Sequence, residues 1–447
     1  MSSELKNDKR EIFGWIVYDW ANSVYLTTVI GVLVGPYLTA LAQAAVGENG
    51  DILNLGPFGA ITAKSLFPFA ISLSVFGQIF LLPILGAIAD YSRLKKRFME
   101  VFCLAGVLAG CLLFFIEGNL YLIGSLLVVF SNLCMGASLV FYNAYLGDIC
   151  TEDQRDKVSS RGFAFGYAGG GLMLLFNLLF LYFAENLGAS QGFAVRVSFL
   201  IAALWWGGFA LVTFSRLKNR GAAREIPAGD NYLTVAFKEL RQTFRELLRL
   251  RHTTQFLIGY LLYNDGIQTV INVSSLYIAQ ELFVNKNLPE DNGFLLAVFF
   301  VAQVTAMLGS FAFEFIARWI GAKYSILLSL VIWALIVIYA YASLQEKWQA
   351  WILGAAIGFV LGGSQALSRS LFSQMIPPGR ESAFFSIYEI SERGTSWIGP
   401  VVFGVVASAT NSYRQAILAL IVFFVVGSLI LYFTDTNKAI AEAGLKA

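Results

Sequence analysis

Charge is what this chain lacks. Charged residues make up 13% of its 447 positions, about half the roughly 25% of an ordinary soluble domain. Hydrophobic residues make up 57%, with 39 Phe, and the mean hydropathy is +0.67. Such a chain cannot clothe a water-facing surface, so a string of soluble domains is excluded. A net charge of +2 gives no basis for a nucleic-acid partner. There is one histidine, His252, which leaves no histidine metal site to build. Cys103, Cys111, Cys134 and Cys150 sit in or beside apolar runs without metal-ligand spacing and read as small buried hydrophobes. No metal and no cofactor is therefore expected. No G-x-x-x-x-G-K-[ST] run occurs, so ATP-driven work is not expected. No His-rich, Ser/Lys or paired-Asp signature suggests an enzyme. The first apolar run is long and lacks an Ala-x-Ala cleavage site, so it reads as a spanning helix rather than a removed signal.

What is present is a succession of apolar runs long enough, at about 20 residues each, to cross a bilayer. Breaks at charged, Gly, Pro and Asn positions divide them into twelve expected spans: 13–44, 66–90, 99–117, 119–145, 161–185, 195–216, 253–283, 293–318, 324–343, 349–373, 383–409 and 413–434. Basic residues crowd one side of this ladder: Lys6, Lys9 and Arg10; Arg93 to Arg97; Arg155 to Arg161; and the stretch 216–251. The other side holds only Lys64, Arg196, Lys286, Lys347 and Arg414. That asymmetry places both termini in the cytoplasm, which in a bacterium means a multi-pass protein of the inner membrane. The hydrophilic stretch 217–252 separates 1–216 from 253–447, six spans on each side. Its TVAFKELRQTFRELLRLRH segment repeats apolar residues at helical spacing with basic ones between. It is expected to be an amphipathic helix, either lying on the membrane surface or serving as a solvated connector.

The halves echo one another. Tyr18-Asp19 in the first span, followed by Asn22 and Ser23, matches Tyr263-Asn264-Asp265 in the seventh, followed by Gln268 and Thr269. The tight basic loop after the second span, GAIADYSRLKK (86–96), resembles the loop motif of the major facilitator superfamily, with Tyr91 and Arg93 departing from its pattern. YDWANS (18–23), NAYLGDI (143–149), SSRGFAFGYAGGG (159–171), YNDGIQT (263–269) and GGSQALSRSLFSQMIPPGRES (362–382) resemble the vacuole-effluxer-like branch of that superfamily. The resemblance implies an all-α membrane protein of twelve transmembrane helices in two pseudo-symmetric six-helix bundles. It also implies a secondary transporter working by alternating access on a small organic solute, with amino acids or related compounds favoured. Protons are a candidate coupling ion, the bilayer is the other partner, and a monomer is expected. The contrasting reading is a scaffold or sensor with a degenerate transporter fold. Retained intramembrane charges weigh against it.

An ionised side chain in a membrane costs about 3 kcal/mol or more unless it faces a wet cavity or a partner. Asp19 and Asn22 in the first span, Asp265, Gln268 and Asn272 in the seventh, Gln365 in the tenth, and Glu389 and Arg393 in the eleventh are accordingly candidate substrate or proton groups. At 1.5 Å per residue Asp265 lies roughly 18 Å along its helix, near the midplane, and is the leading proton candidate. Either it titrates or it is locked to Arg369, Arg393 or the backbone. Arg393 could hold a substrate carboxylate or pair with Glu389 one turn away. Asp90, Arg93, Asp148 and Arg369 fall near cytoplasmic ends and are expected to form a gate. Glycines 162, 166, 169, 170 and 171, and 394, 399 and 404, suggest close helix packing or a hinge.

Overall fold

The computed structural model describes residues 6–447 except 48–49, 55–59, 221–231, 290, 394–397 and 445–447. The first span is α1 (Lys9–Val24), a π-helical stretch (Tyr25–Leu33) and α2 (Val34–Val46) in one continuous run. After it come α3 (Leu66–Asp90), α4 (Lys95–Leu112), α5 (Tyr121–Ala144), the short α6 (Leu146–Ile149), α7 (Glu152–Phe183) and α8 (Gln191–Arg216). The linker helix is α9 (Tyr232–Arg249). Beyond it lie α10 (Arg251–Leu282), α11 (Asn292–Ile320), α12 (Ala322–Ser343) and α13 (Lys347–Gln374). The chain closes with α14 (Glu381–Arg393), α15 (Ile398–Thr410), α16 (Tyr413–Ala419), α17 (Ile421–Phe433) and α18 (Thr436–Gly444).

Ten helical runs among the described residues are long and apolar enough to cross a membrane. The expected seventh span, α10, has the length at 32 residues but interrupts its apolar run with Asn264, Asp265, Gln268 and Asn272. Of the expected eleventh span, 383–409, the structure describes α14 and α15, and residues 394–397 between them lie outside the described residues. Pro400 falls in the first turn of α15, where its missing N–H is tolerated. The fifth helix starts at Glu152, well before the expected 161, since an acidic first turn suits a helix N-terminus. A two-stranded antiparallel hairpin, β1 (Asp51–Asn54) with β2 (Ala60–Thr62), was not expected.

Lipid is as apolar as leucine, so burial alone does not hold these helices together. Close backbone approach and dispersion do. The buried apolar side chains form two main clusters, one from Trp15 to Leu217 and one from Leu247 to Ala439 that also takes in Ala144. Small residues set the spacing within and between them. A Cβ on Gly358 would lie 2.1 Å from the Ala302 carbonyl oxygen, and one on Gly362 2.1 Å from that of Ala306, so α13 rests directly on the α11 backbone. Along α7, a Cβ on Gly166 would come within 2.6 Å of Ser23 Oγ and one on Gly169 within 2.7 Å of the Trp20 carbonyl. The glycine stripe of α7 is thus a packing surface for α1. Phe76, Phe80 and Phe433 are more than half exposed, as side chains that meet acyl chains are.

The C-terminal part of the amphipathic helix α9 packs on protein. Thr243 and Leu247 are buried, and the helix packs on α3 with further contacts to α10 and α14.

Candidate functional site

A cavity of about 460 Å³ lies between the two core clusters, with walls from α1, the π-helical stretch, α3, α5, α7, α10, α11, α13 and α14. Leu26, Thr27, Ile30 and Gly31 of the π-helical stretch line it. The wider turn there displaces the backbone where a ligand would sit, a placement common for such turns. Of the residues singled out in the sequence, Asp19, Asn22, Gln268, Asn272, Gln365 and Glu389 all line this one space. Arg369, expected at the gate, lines it too.

At one end of the cavity a polar chain runs from one half of the protein to the other. Arg369 Nη2 donates to Asp19 Oδ2 at 3.1 Å, joining α13 to α1. The same guanidinium donates to Ser159 Oγ and to the Ser159 carbonyl, both at 2.9 Å, and to Asn143 Oδ1 at 3.3 Å. Asn143 Nδ2 then donates to Glu389 Oε1 at 2.5 Å. The amide orientation is fixed by its neighbours, because the opposite flip would point an NH₂ at a guanidinium and an oxygen at a carboxylate. Arg369 is 2% exposed, and aromatic faces complete its shell. Its Cζ lies 4.1 Å from the Phe163 ring centroid, 4.8 Å from Trp15 and 5.6 Å from Tyr142. Trp15 and Tyr142 stack at 4.4 Å, and Trp15 Nε1 donates to the Tyr142 carbonyl. Removal from water makes this charge costly unless fully met, and the shell meets it. Gly162 makes room: a Cβ there would be 2.4 Å from Asp19 Oδ2 and 2.9 Å from Arg369 Nη2.

Asp265 is fully buried but is not among the residues lining the cavity. Its Oδ2 accepts from the Gly399 N–H at 2.6 Å, where α15 begins, and its Oδ1 has no hydrogen-bond partner among the described residues. Helical geometry explains the split. Relative to Asp265, Gln268 and Asn272 are rotated by about 60° and 20° to one side and Thr269 by about 40° to the other. The stripe therefore straddles two neighbours, with 268 and 272 on the cavity and 265 and 269 on α15. The echo between halves is a packing echo. Asp19 and Ser23 press on Gly162 and Gly166 of α7, and Asp265 and Thr269 press on Gly399 of α15. The side chain of Arg393 lies outside the described residues.

Beyond Arg369, the side bearing the α3–α4 turn is closed by contacts between the halves. Asp90, at the end of α3, accepts from the backbone N–H groups of Ser382 and Ala383 at 3.0 and 2.9 Å, so it serves the open N-terminus of α14. Arg155 donates to the Ser373 carbonyl at 2.7 Å, Ser159 to that of Ala366 at 2.7 Å, and Ser370 to Asp156 at 2.5 Å. Asp148 pairs with Lys95 at 3.0 Å within one half. Arg93 is exposed in the turn. Asn143 of the fourth span was among the polar residues expected on the cavity, whereas Ser159, Phe163 and Tyr167, which donates to Gln365, belong to the site but were not singled out from the sequence for it. No group of three or more His, Cys, Asp and Glu among the described residues could hold a metal ion.

A family model described as vacuole effluxer Atg22 like matches residues 7–444. The chain belongs to this family. An uncharacterized MFS-type transporter, YxiO of Bacillus subtilis (strain 168), is 32% identical over 439 residues, 97% of each chain. Autophagy-related protein 22-1 of Aspergillus clavatus is 25% identical over 551 residues, covering 97% of this chain and 89% of that protein. Among solved structures, the major facilitator superfamily transporter FucP in its outward conformation superposes with a TM-score of 0.69 at 12% identity, covering 95% of this chain and 98% of that one. The proton:xylose symporter XylE, bound to 6-bromo-6-deoxy-D-glucose, gives 0.65 at 14% identity, covering 95% and 94%. This Atg22-like protein is thus an all-α, multi-pass integral membrane protein of the major facilitator fold and a transporter of that type.

Proposed function

We propose that this Atg22-like protein moves a small organic solute by alternating access, with amino acids or related compounds favoured and protons as the candidate driving ion. The observation that carries the reading is the Asp19–Arg369–Asn143–Glu389 chain at the end of the cavity. It presents a carboxylate and a guanidinium 3.1 Å apart on opposite halves. A cargo bearing an ammonium and a carboxylate can compete for both poles and so loosen the tie between halves. A cavity of about 460 Å³ suits a ligand of that size. Asp265, buried and engaged by the Gly399 N–H, is the candidate proton site. Arg393 remains a candidate for a cargo carboxylate.

In this reading residues 1–216 and 253–447 are the two moving bundles, with 217–252 as linker. Counting α10 and the α14–α15 pair as crossings gives twelve. The excess of basic residues near the α3–α4 turn puts that side in the cytoplasm, so the cavity is the outward-facing one. Asp90, Asp148 and Arg369, with Arg93 nearby, are the cytoplasmic gate. The protein works as a monomer with a small-molecule cargo.

A thermal-shift panel of amino acids, short peptides, sugars and nucleosides on purified protein selects the cargo class. Uptake into proteoliposomes with and without an imposed pH gradient then tests transport and coupling. Accumulation that collapses with the gradient supports both. Accumulation indifferent to the gradient removes the proton. Stabilisation by sugars or nucleosides alone removes the amino-acid preference.

A further inference from the structure

The two faces of α9 have different environments. One is taken up by protein: Thr243 and Leu247 are buried where the helix packs on α3. Its C-terminal part is fastened as well. Glu246 pairs with Arg380, just ahead of α14, and Thr254 of α10 donates to the Leu247 carbonyl. The other face carries Lys238, Arg241, Arg245 and Arg249, all exposed. Steps of three, four and four residues put these cations in one row along the helix. With Gln242 and Glu246 they line a groove of about 360 Å³. Glu246 is the acid among the residues lining that groove and is already engaged by Arg380, so Arg241, Arg245 and Arg249 can donate to whatever enters it. Leu248, beside the row, stands 70% exposed. Two residues after Arg249, Arg251 opens α10, so the row ends beside the start of that helix.

We propose that this exposed face of α9 is a docking surface for the anionic headgroups of the adjacent lipid leaflet. The chemistry fits on three counts. Arg forks take phosphate oxygens in pairs. The row ends two residues before α10 begins, and Leu248 can enter the acyl boundary beside it. In the field of an anionic leaflet each such basic residue strengthens binding by about fivefold, and the attraction is screened by salt. The helix meets the membrane with its basic face, because the opposite face is buried in protein at Thr243 and Leu247.

The test uses the full chain in detergent, titrated with solubilised phosphatidylglycerol, phosphatidylcholine or inorganic phosphate. Thermal unfolding and hydrogen exchange over 238–249 are the readouts. Phosphatidylglycerol is expected to raise the unfolding temperature and slow exchange in this segment. Phosphatidylcholine and inorganic phosphate are expected to do neither, and raising NaCl from about 0.05 to about 0.5 M should erase the effect. Replacing Lys238, Arg241, Arg245 and Arg249 together by Gln should weaken the apparent affinity by about 100-fold or more, and Arg245→Gln alone by about fivefold. The single variant carries the test if the fourfold one does not fold. The proposal is overturned if the Gln variants respond like wild type or if phosphatidylglycerol leaves exchange at 238–249 unchanged. Equal protection by inorganic phosphate would also overturn it, as the mark of a free-phosphate site.

Discussion

Replacing Arg369 by Met keeps most of the side-chain length and removes the charge. Asp19, 6% exposed, then loses its guanidinium partner. Ser159 loses two bonds that it accepts from the guanidinium and Asn143 one. Breaking a buried pair from one side costs about 3–5 kcal/mol, because a charge is left without compensation. Asp19→Asn should cost less, about 1–3 kcal/mol, since Arg369 keeps its bonds to Ser159 and Asn143. If the two residues act as one unit, the double variant costs less than the sum of the singles by about 2 kcal/mol, within the range seen for contacting pairs. The assay is reversible unfolding of the full chain in mixed micelles by an SDS titration, run as a double-mutant cycle. Costs that add to within about 0.5 kcal/mol would refute the reasoning, for they would mean that Asp19 and Arg369 do not interact.

Asp90→Ala removes the acceptor of the Ser382 and Ala383 N–H groups, a capping loss of about 0.5–2 kcal/mol borne by the closed state alone. A cysteine placed at Ala366, otherwise fully buried, should then react faster with a soluble thiol reagent, and an unchanged rate would count against the gate. Gly358→Val drives a branched side chain into the Ala302 carbonyl and should cost about 3 kcal/mol, at the upper end for overpacking; unfolding at the wild-type SDS fraction would contradict it. Asp265→Asn should leave the fold intact and abolish proton dependence of uptake, whereas a wild-type pH profile would remove Asp265 from coupling. Asp291, in the loop before α11, is held below the usual carboxylate range by its hydrogen bond from Lys347 and by the Phe294 N–H. A carboxyl depressed in the folded state stabilises above its unfolded pKa and loses that contribution as pH falls through the folded one. Asp291→Asn should therefore flatten the acid limb of the stability profile, and an unaltered limb would show that the pair contributes nothing.

The membrane class, most of the spans and much of the cavity lining were legible because each is a local property. Hydropathy runs give the helices, and polar residues at helical spacing within them give a wet face. Asp19, Asn22, Gln268, Asn272, Gln365 and Glu389 were reachable in this way. Arg369 was read from the sequence both as a polar residue of the tenth span and, from its nearness to a helix end, as a gate residue; it lines the cavity wall and ties α13 to α1. Its acceptor Asn143 lies 226 positions away, and no periodicity links the two. Ser159 and Gly162 stood in a quoted motif, yet their part in seating the guanidinium follows only from the α1–α7 packing. The turn of Asp265 toward α15 was equally hidden, since a stripe at i, i+3, i+4 and i+7 is wide enough to serve two neighbours.

The central claim, that the cavity holding Asp19, Gln268 and Arg369 is where cargo sits, is tested most directly by filling it. Counterflow of a labelled amino acid into proteoliposomes should be robust for the wild type. It should vanish for Gln268→Trp, whose added ring occupies the cavity, while the purified variant unfolds at the wild-type temperature. Counterflow undiminished in Gln268→Trp would place the cargo elsewhere and contradict the account.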